Sequence, residues 1–428
     1  MEQPVFNEKY ASGMPSDGKD TQLPLTSYNS EMRIRGDTHL ISHDPHLNAN
    51  GEALHRFLLE QAVFPPQFSV SCKGTHQETR TRSNGKGGVE TYYVTITDFD
   101  FVIDLTRHII AEPFGAPIFI VGDRDATFRG KTHKEVDEGP TKTPEGKDLE
   151  ASEIALGKQF RRKATGEEKD RSEERKNHLE GAGLPPWVHL PGEPVGTQAG
   201  VDKDEARRRF QYGVHGPDQT FDDSGVQPPL QDLRQWAEEY CESKKMLKEF
   251  NFEKIVHGWN FLELQGEIAK TLRANWAHPK NDPHIKFHAS SEIISVRPDN
   301  WLSRMLSRRL VKFFLWIFLI YPLFIWPYKR WGRGGGGEWR VAGAAYSIAK
   351  WVHLEDSYPG ERVEEYRQRT PVLPSLRYLR ATPKGISRLE GMLENEWFHA
   401  WQETIATFAR TKRDNTTPVE TPLAAGSM

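Results

Sequence analysis

The pattern of apolar and polar residues predicts folded elements on both sides of a long polar stretch. In the first group, apolar residues recur at helical spacing within Leu54–Ala62, in a helix that starts at Asn50 or the next residue. Alternation within Phe68–Cys72 and again within Tyr92–Ile96 predicts a hairpin with a glycine-rich turn. From Phe99 onward the apolar parity switches, which predicts a β-bulge or a change of partner sheet.

A second group of elements follows the polar stretch. Amphipathic helices are predicted from Leu230 to Tyr240 and, with Asn260 as the N-terminal cap, from Leu264 to Trp276. Apolar segments predict four strands, one of them before the polar stretch: Ile118–Val121, Phe250–Val256, Ile285–Ala289 and Ile294–Val296.

The chain beyond residue 338 predicts one strand and one helix. Trp339–Leu354 has the pattern of a strand, and a long helix with Pro383 near its start carries an apolar stripe. The stripe consists of Ile386, Leu389, Leu393, Trp397, Ile405 and Phe408. Since one strand and one helix make no stable domain alone, this strand needs a sheet, and the nearest candidates are the earlier strands. If the apolar run that precedes it crosses a membrane, the strand must instead find its partner in another chain. The whole pattern predicts an α+β fold with a mixed or antiparallel sheet and packed helices, interrupted by a long disordered insert and one membrane-inserting hydrophobic helix.

An uncharged apolar run separates these last elements from the rest of the fold. Phe313–Tyr328 contains 16 residues without a charge, about 24 Å as a helix, against roughly 30 Å for the hydrocarbon core of a bilayer. Adding Leu310 and Val311, with the side chain of Lys312 reaching toward the headgroups, gives about 28 Å. The residues expected to insert into a membrane are Phe313, Phe314, Leu315, Trp316, Ile317, Phe318, Leu319, Ile320, Tyr321, Leu323, Phe324, Ile325 and Trp326.

Basic residues flank this run on both sides. Between Arg297 and Arg340 the chain has nine Lys and Arg and two acidic residues, a local charge of +7 in a chain whose net charge is −3. Such an excess favours anionic lipid headgroups by about 1 kcal/mol per basic residue, and Trp and Tyr favour the same interface. The residues expected to contact anionic lipid are Arg304, Arg308, Arg309, Lys312, Lys329, Arg330 and Arg333.

Three arrangements in a membrane stay open. Pro322 and Pro327 break the second half of the run, so we expect a helix from about Asn300 to Tyr321 with an irregular exit. The run crosses the bilayer, enters and leaves on one side, or lies among the headgroups. The flanking charges are balanced and the last strand needs the earlier sheet, so we favour one composite domain, with both flanks on the cytoplasmic side of an unspecified organelle. A soluble protein with a buried apolar helix is the remaining alternative.

The polar pattern divides the chain into seven parts. They are a disordered arm (1–36), the first part of the α+β domain (37–130), a disordered charged insert (131–229), the second domain part (230–298), the basic-flanked membrane segment (299–333), the third domain part with the last strand and long helix (334–411) and a disordered tail (412–428). Within the insert, LPPWV at Leu184–Val188 is a candidate docking motif for a protein partner.

Composition limits the classes of protein to which the chain can belong. Of its 428 residues only 36% are hydrophobic, and the mean hydropathy is −0.68, so much of the chain lies outside a core. The near-neutral charge excludes a globally basic nucleic-acid binder. Cys72 and Cys241 form neither a disulfide framework nor a zinc motif, and the N-terminus lacks the pattern of a secretory signal. We expect no cofactor, and the oligomeric state stays open.

Candidate chemistry is sparse. Asp98 and Asp100 share a strand parity, and an Asp-x-Asp at a strand end can hold Mg²⁺ or Mn²⁺ against a nucleotide-sugar diphosphate. The histidines at 39, 43 and 46, with Asp44, offer a second donor set, for which a local turn is the simpler interpretation. The glycines at 84–88 and 332–337 match no phosphate-binding loop, so we interpret them as a hairpin turn and a hinge.

Five segments resemble a family of uncharacterised membrane proteins of filamentous fungi. They are SHDPHLNANGEAL (Ser42–Leu54), TDFDFVIDLT (Thr97–Thr106), KKMLKEFNFEKIVHGWN (Lys244–Asn260), SVRPDNWLSRML (Ser295–Leu306) and WRVAGAAYSIAKW (Trp339–Trp351). The resemblance covers most of the folded part, but neither the insert nor the termini. It implies a membrane-associated protein of fungal type and no particular activity.

Two functional classes follow. The favoured one is a non-enzymatic, membrane-anchored domain that binds a protein or lipid, with the charged insert as a flexible arm. The alternative is a membrane-bound, metal-dependent transferase that uses Asp98 and Asp100.

Overall fold

A computed structural model describes residues 32–35, 39–83, 89–112, 115–137, 161–187, 231–278, 280–332, 334–370, 378–382 and 384–423. The strands are β1 (Met32–Arg35), β2 (His39–Ser42), β3 (Gln67–Ser83), β4 (Val89–Asp104), β5 (Ile118–Ile120), β6 (Arg129–Lys131), β7 (Glu135–Asp137), β8 (Arg161–Lys163), β9 (Leu247–His257), β10 (His284–Ser290), β11 (Ile293–Val296), β12 (Gly336–Ser347), β13 (Ala349–His353), β14 (Leu379–Thr382), β15 (Gly385–Gly391) and β16 (Asp414–Val419). The helices are α1 (Pro45–Ala49), α2 (Gly51–Val63), α3 (Gly166–Gly181), α4 (Leu233–Glu242), α5 (Phe261–Asn275), α6 (Trp301–Leu306), α7 (Arg309–Ile317), α8 (Trp326–Trp331), α9 (Val363–Arg369) and α10 (Glu394–Arg410), with a 3-10 turn at Thr106–His108 and a π-helical turn at Tyr321–Ile325.

The strands form two large sheets and two small ones. The larger sheet has the order β1-β2-β11-β9-β12-β5, with β6 also pairing with β12. It is mixed, because β11 runs parallel to β2 and antiparallel to β9, whereas β12 runs parallel to β9. The second sheet has the order β10-β3-β4-β16, and the small sheets are β13-β15-β14 and β7-β8. The predicted α+β class with a mixed sheet is confirmed.

Each large sheet has its own hydrophobic core, which lies between the sheet and the helices that pack on it. In the first, helices α5 and α10 pack on the four-stranded sheet, and Trp259, Trp397 and Trp401 are almost fully buried there. In the second, helices α1, α2 and α4 cover the seven-stranded sheet, where Phe57 and Tyr240 lie in the centre. These five helices thus bury apolar side chains against a sheet, as an α+β fold requires.

Helix α2 shows how closely the local pattern determines an element. The side-chain oxygen of Asn50 accepts a hydrogen bond from the Ala53 amide at 3.0 Å, which satisfies one of the free amides at a helix start. The predicted stripe within Leu54–Ala62 is buried, and the helix ends before the two prolines. The prediction for this helix is confirmed.

The bulge predicted near Phe99 is present in the hairpin of β3 and β4. Gly74 pairs with Phe99, whereas the next residue, Thr75, pairs with Thr97. Asp98 is therefore the extra residue of a β-bulge, which explains the change of apolar parity. The turn at 84–88 lies outside the described residues.

The strand after the apolar run lies in the same sheet as the strands before it. Val296, at the end of β11, pairs with Phe250, and Gly336, at the start of β12, pairs with Leu247. The chain therefore leaves this sheet and returns to it at the same end of β9. The two points lie two strand spacings apart across the sheet and three residues apart along β9, which is roughly 14 Å in all.

The predicted disorder of the insert at 131–229 is wrong for residues 131–137 and 161–187. Thr165 and Glu168 form a capping box that starts α3, and β8 pairs with β7. Burial of Leu184 and Trp187 fixes the end of this segment, so the described part of LPPWV docks on its own chain. Residues 138–160 and 188–230 lie outside the described residues.

The long C-terminal helix begins later than predicted, at Glu394 rather than near Pro383. Ile386 and Leu389, predicted as its first stripe residues, lie on β15 instead, paired with β13 and β14. Gly391 ends that strand with φ of 89°, a conformation that favours glycine. Pairing with β13 and β14 therefore overrides the helical spacing.

The termini are also more ordered than predicted. In the predicted arm, β1 at Met32–Arg35 pairs with β2. In the predicted tail, β16 at Asp414–Val419 runs parallel to β4. Disorder is therefore the wrong prediction for these strands, while residues 1–31 and 424–428 lie outside the described residues.

Candidate membrane-contacting site

The apolar run folds as a bent pair of short helices, which we call the bent segment (309–331). The single helix predicted from Asn300 to Tyr321 is wrong, because the chain forms α6 and then α7, and α7 ends at Ile317. Leu319 has φ of 56°, a left-handed conformation that breaks the helix. The predicted irregular exit is instead the π-helical turn, which contains Pro322, followed by α8.

The two arms of the bent segment meet at a sharp angle. The axes of Leu310–Ile317 and Tyr321–Trp331 differ by 88°. Among the residues that the structure describes, no single helix has the length and hydropathy to cross a membrane, and this bent pair meets those criteria only when its two arms are combined.

The apolar side chains of the bent segment face solvent rather than a core. More than half of the large apolar side chains that are exposed in the described chain lie here or on Trp301. Phe318 and Phe324 are each 69% exposed. The exposed members are Leu310, Phe313, Phe314, Trp316, Ile317, Phe318, Leu319, Ile320, Leu323, Phe324, Trp326 and Trp331. An apolar patch of this kind marks an interaction surface.

Three residues predicted to insert are less exposed than their neighbours. Leu315 and Tyr321 are half-buried, and Ile325 is buried with 8% exposure. Tyr321 joins the two arms. Trp316 stacks on Tyr321 with ring centroids 5.4 Å apart, and the ammonium of Lys312 lies 5.7 Å from the Tyr321 ring.

The basic residues around the bent segment fall into two groups. Arg297 and Arg340, which contribute to the local excess of charge, bind acidic side chains of the sheet. Arg297 donates to Glu249 at 2.5 Å, and Arg340 donates to Glu338 at 2.7 Å. Burial raises the pKa of Glu249, but the charge and the hydrogen bond of Arg297 outweigh it and hold that pKa below its usual value. These two arginines therefore stabilise the fold.

The second group lies at the ends of the bent segment. Arg308 and Arg330 are exposed, and the Arg330 guanidinium lies over the rings of Trp326 and Trp331, at 5.6 and 5.9 Å. Arg304 is exposed but pairs with Asp299. The side chains of Arg309 and Arg333 lie outside the described residues. Cations beside Trp rings are typical of a membrane–water interface.

The start of the bent segment is fixed by a histidine. Nδ1 of His43 lies 3.1 Å from the Pro298 carbonyl oxygen, and its Nε2 lies 3.0 Å from the Ser307 hydroxyl. Asp44 caps α1 by accepting from the His46 amide at 2.8 Å. Both ring nitrogens of His43 thus have partners within the protein. This favours local structure over a metal site for the histidines at 39, 43 and 46 with Asp44, although the local structure is a capped helix rather than the predicted turn.

The exit of the bent segment is fixed by close backbone packing. The glycines at 332–337, predicted as a hinge, hold the chain against β9: the Gly334 and Gly335 carbonyls accept from Met246 and Leu247 at 2.7 and 3.1 Å. A Cβ on Gly335 would overlap the Tyr328 carbonyl oxygen and lie 2.8 Å from the Lys329 carbonyl oxygen. The hinge prediction is therefore wrong, and glycine is needed for space.

The two aspartates of the transferase hypothesis do not converge. Asp100 accepts from Lys73 at 2.6 Å. Asp98, at the bulge, is buried and lies 2.7 Å from Nδ1 of His76, and it accepts from the Trp276 indole at 3.0 Å. Each carboxylate thus has its own partners, and the pair does not offer two oxygens to one ion.

Asp98 instead belongs to a cluster that the sequence did not indicate. Nitrogen atoms of His76 and His278 and an oxygen of Asp98 lie within 4.8 Å of one another, and the two imidazoles stack at 3.9 Å. Two imidazoles and one carboxylate are donors that Zn²⁺ prefers. The ammonium of Lys412 lies 3.9 Å from Asp98 and supplies positive charge there already. No local motif joins residues so far apart in sequence.

Comparison with known proteins gives no further information on this site. No protein-family model, no curated protein and no solved structure matches the chain. The resemblance to fungal membrane proteins therefore stays a prediction.

Proposed function

We propose that this protein is a non-enzymatic, membrane-surface protein whose α+β domain is anchored by the bent segment in one leaflet. The observation that carries the proposal is an uncovered apolar surface on a segment whose two ends are both fixed to the same end of one sheet. A folded domain that holds both ends of a segment keeps both flanks on one side of a bilayer. This supports in-and-out or headgroup-level insertion over a crossing.

The size of the apolar surface supports stable attachment. Transfer of a large apolar side chain from water to hydrocarbon is worth about 1.5–3 kcal/mol. Insertion of about five such side chains therefore offsets an association cost on the order of 10 kcal/mol. Each arm is about 12–16 Å long as a helix, close to the roughly 15 Å of hydrocarbon in one leaflet, so neither arm alone crosses the bilayer.

The chemistry of the flanks supports anionic lipids as the partner. Lys312 and Arg330 lie beside aromatic rings of the bent segment, and Arg308 and Lys329 lie near its two ends, so that these four cations can reach the headgroup layer. The geometry of Asp98 and Asp100 does not support the hypothesis of a metal-dependent transferase. The resemblance to fungal membrane proteins agrees with a membrane role and adds no activity.

Protease protection on sealed membranes tests the topology. The full chain carries a different tag at each end, and we expect protease to digest both tags while the protein stays with the membrane through carbonate washing. Survival of one tag until detergent is added would show a crossing and would overturn one-leaflet insertion. Recovery of both tags in the supernatant would overturn the membrane role.

Vesicle flotation with matched variants tests the surface itself. Replacing Phe313, Phe318 and Phe324 by Ser removes three exposed rings, and we expect at least a 100-fold loss of vesicle binding. The matched control replaces three exposed apolar residues elsewhere, namely Leu59, Tyr93 and Leu262. Equal binding by the two triple variants would contradict the proposal.

A further inference from the structure

A cavity of about 380 Å³ opens where the bent segment returns to the sheet. It lies between the end of β6, the end of β8, the loop before β9 and the end of α8. The residues that line it are Lys131, Thr132, His133, Lys163, Lys245, Lys329, Arg330, Trp331, Gly332 and Gly334–Gly336. Its volume is in the range of sites for small molecules.

The charges of this cavity have one sign. Its described lining contains four lysines, one arginine and one histidine, and none of the described lining residues is acidic. Glu135 has a carboxylate oxygen 3.8 Å from Nε2 of His133, and it lines the neighbouring cavity together with Lys131 and Lys245. Several positive charges therefore face one small volume.

The neighbouring cavity, of about 540 Å³, provides a contrast within the same fold. There, Arg161 donates to both carboxylate oxygens of Glu239 at 2.7 and 2.6 Å. Arg129 is fully buried and donates to backbone carbonyls, including that of Gly122 at 2.6 Å. These two arginines line only that cavity and have partners that belong to the fold, whereas Lys131 and Lys245 line both cavities.

The cations of the smaller cavity have few such partners. Within the part of the chain that the structure describes, Lys131, Lys163 and Lys329 make no ion pair or side-chain hydrogen bond. Lys245 donates to the Gly130 carbonyl, and Arg330 lies over Trp rings. The mutual repulsion is visible at His133, whose pKa is lowered by burial and by Lys163, Lys131 and Arg330. A polyanion would relieve this repulsion.

We propose that this cavity binds a headgroup with two or more phosphate groups, carried by a lipid of the same membrane surface that the bent segment contacts. The inference rests on the proposed function for its source of ligand. Five lysine and arginine side chains exceed what a headgroup with one negative charge would neutralise, and they are placed to meet several phosphate oxygens.

Charge-matched vesicles test this site on the full chain. One set contains phosphatidylinositol bisphosphate, and the other contains phosphatidylserine at equal surface charge. The test variant is Lys131→Gln with Lys163→Gln, since both side chains are exposed and lie outside the bent segment. The control variant is Lys270→Gln with Lys286→Gln, two exposed lysines that do not line the cavity. Melting temperatures verify that both variants fold.

We expect the wild type to prefer the bisphosphate vesicles, and the test variant to bind them roughly 20- to 30-fold more weakly while the control variant keeps the preference. Equal binding of wild type to both vesicle sets would overturn the headgroup site and leave membrane anchoring intact. A preference that survives in the test variant would overturn it as well.

Soluble inositol trisphosphate distinguishes the two sources of phosphate. Under the proposal, it competes with the bisphosphate vesicles and raises the melting temperature of the wild type more than that of the test variant. If it does so while the wild type binds no vesicle at all, the lipid source is overturned together with the proposed function, and the cavity is a site for a free polyphosphate.

Discussion

Helix α10 and the bent segment are both rich in aromatic residues, but the fold buries those of α10 and leaves most of those of the bent segment exposed. In α10 the aromatic residues form one stripe, and Trp397, Trp401 and Phe408 are buried against the four-stranded sheet. In the bent segment the large apolar residues stay exposed. The fold therefore provides a covering surface for one set of aromatic residues and none for the other.

The difference originates in the placement of charge. The opposite face of α10 carries charged residues such as Glu403 and Arg410, so water solvates one face while the sheet covers the other. Between Lys312 and Lys329 no residue is charged, so no face of the bent segment suits water. An amphipathic helix is completed by its own domain, whereas an entirely apolar segment on the surface needs an external partner.

The largest effect is expected when the same kind of truncation is made in both regions. Trp401→Ala leaves a cavity under α10, and we expect it to lower the free energy of unfolding by about 3–5 kcal/mol. Phe324→Ala removes an exposed ring, and we expect a change within about 0.5 kcal/mol. Chemical denaturation of the purified variants measures both.

The two substitutions should affect vesicle binding in the reverse order of their effects on stability. Phe324→Ala is expected to weaken binding, while any Trp401→Ala protein that remains folded should bind as the wild type does. A loss of stability in Phe324→Ala comparable with that in Trp401→Ala would show that the bent segment is part of the core, and the contrast would disappear.

A smaller effect is expected at the junction that joins the two regions. Gly335→Ala forces the new Cβ against the backbone of α8, and we expect a cost of about 2 kcal/mol together with weaker vesicle binding. Gly266→Ala is the control, because this position in α5 has free space around it and alanine favours helix by about 1 kcal/mol. If Gly335→Ala were as harmless as the control, the exit would be a flexible hinge after all.

The contrast also explains how much could be predicted from the sequence. Local patterns were sufficient for α2, with its cap and stripe, and for the bulge at Asp98, because neighbours in sequence determine both. They failed at Ile386 and Leu389, where pairing with the adjacent strand β14 and the distant strand β13 decides the structure. They failed for α3 and β16 as well, since polar composition does not show a docking partner elsewhere in the chain.

In the candidate site, too, features that are contiguous in sequence could be predicted and features assembled by long-range packing could not. The apolar run and its flanking charges are contiguous and could be identified from the sequence. The cavity could not, because Lys131, Lys163 and Lys245 are brought to Lys329 only by the pairing of β6 and β9 with β12 and of β7 with β8. The cluster of His76, Asp98 and His278 likewise depends on long-range packing.

A third test addresses the polar network beneath the aromatic core. Asp98→Asn removes the charge that His76 and the Trp276 indole contact, and we expect a loss of about 2 kcal/mol in the free energy of unfolding.

Mn²⁺ and Mg²⁺ should leave the melting temperature of the wild type unchanged, because Asp98 and Asp100 do not converge. A stabilisation by Mn²⁺ that Asp100→Asn abolishes would restore the transferase hypothesis. A shift with Zn²⁺ that His278→Ala abolishes would instead assign a metal to the His76 cluster.

The smallest effect is expected from a cation of the core, in contrast with the exposed cations of the cavity. Lys254 is buried and donates to the Phe64 carbonyl at 2.9 Å, and burial lowers its pKa from 10.5 to about 8. Between these two pH values the unfolded chain binds more protons at this residue than the native chain does. The contribution of Lys254 to stability therefore rises with pH across that window.

Comparison with Lys254→Met isolates this contribution from other groups that titrate at alkaline pH, such as Cys72. We expect the wild type to gain about 1 kcal/mol relative to the variant between pH 8 and 9, measured by urea denaturation at each pH. Lys270→Met, at an exposed position, should show no such relative gain. A constant difference between wild type and Lys254→Met across this range would mean that Lys254 keeps an ordinary pKa. Its ammonium would then be as well solvated as the cations around the bent segment, and the distinction between core and surface would not extend to the charged residues.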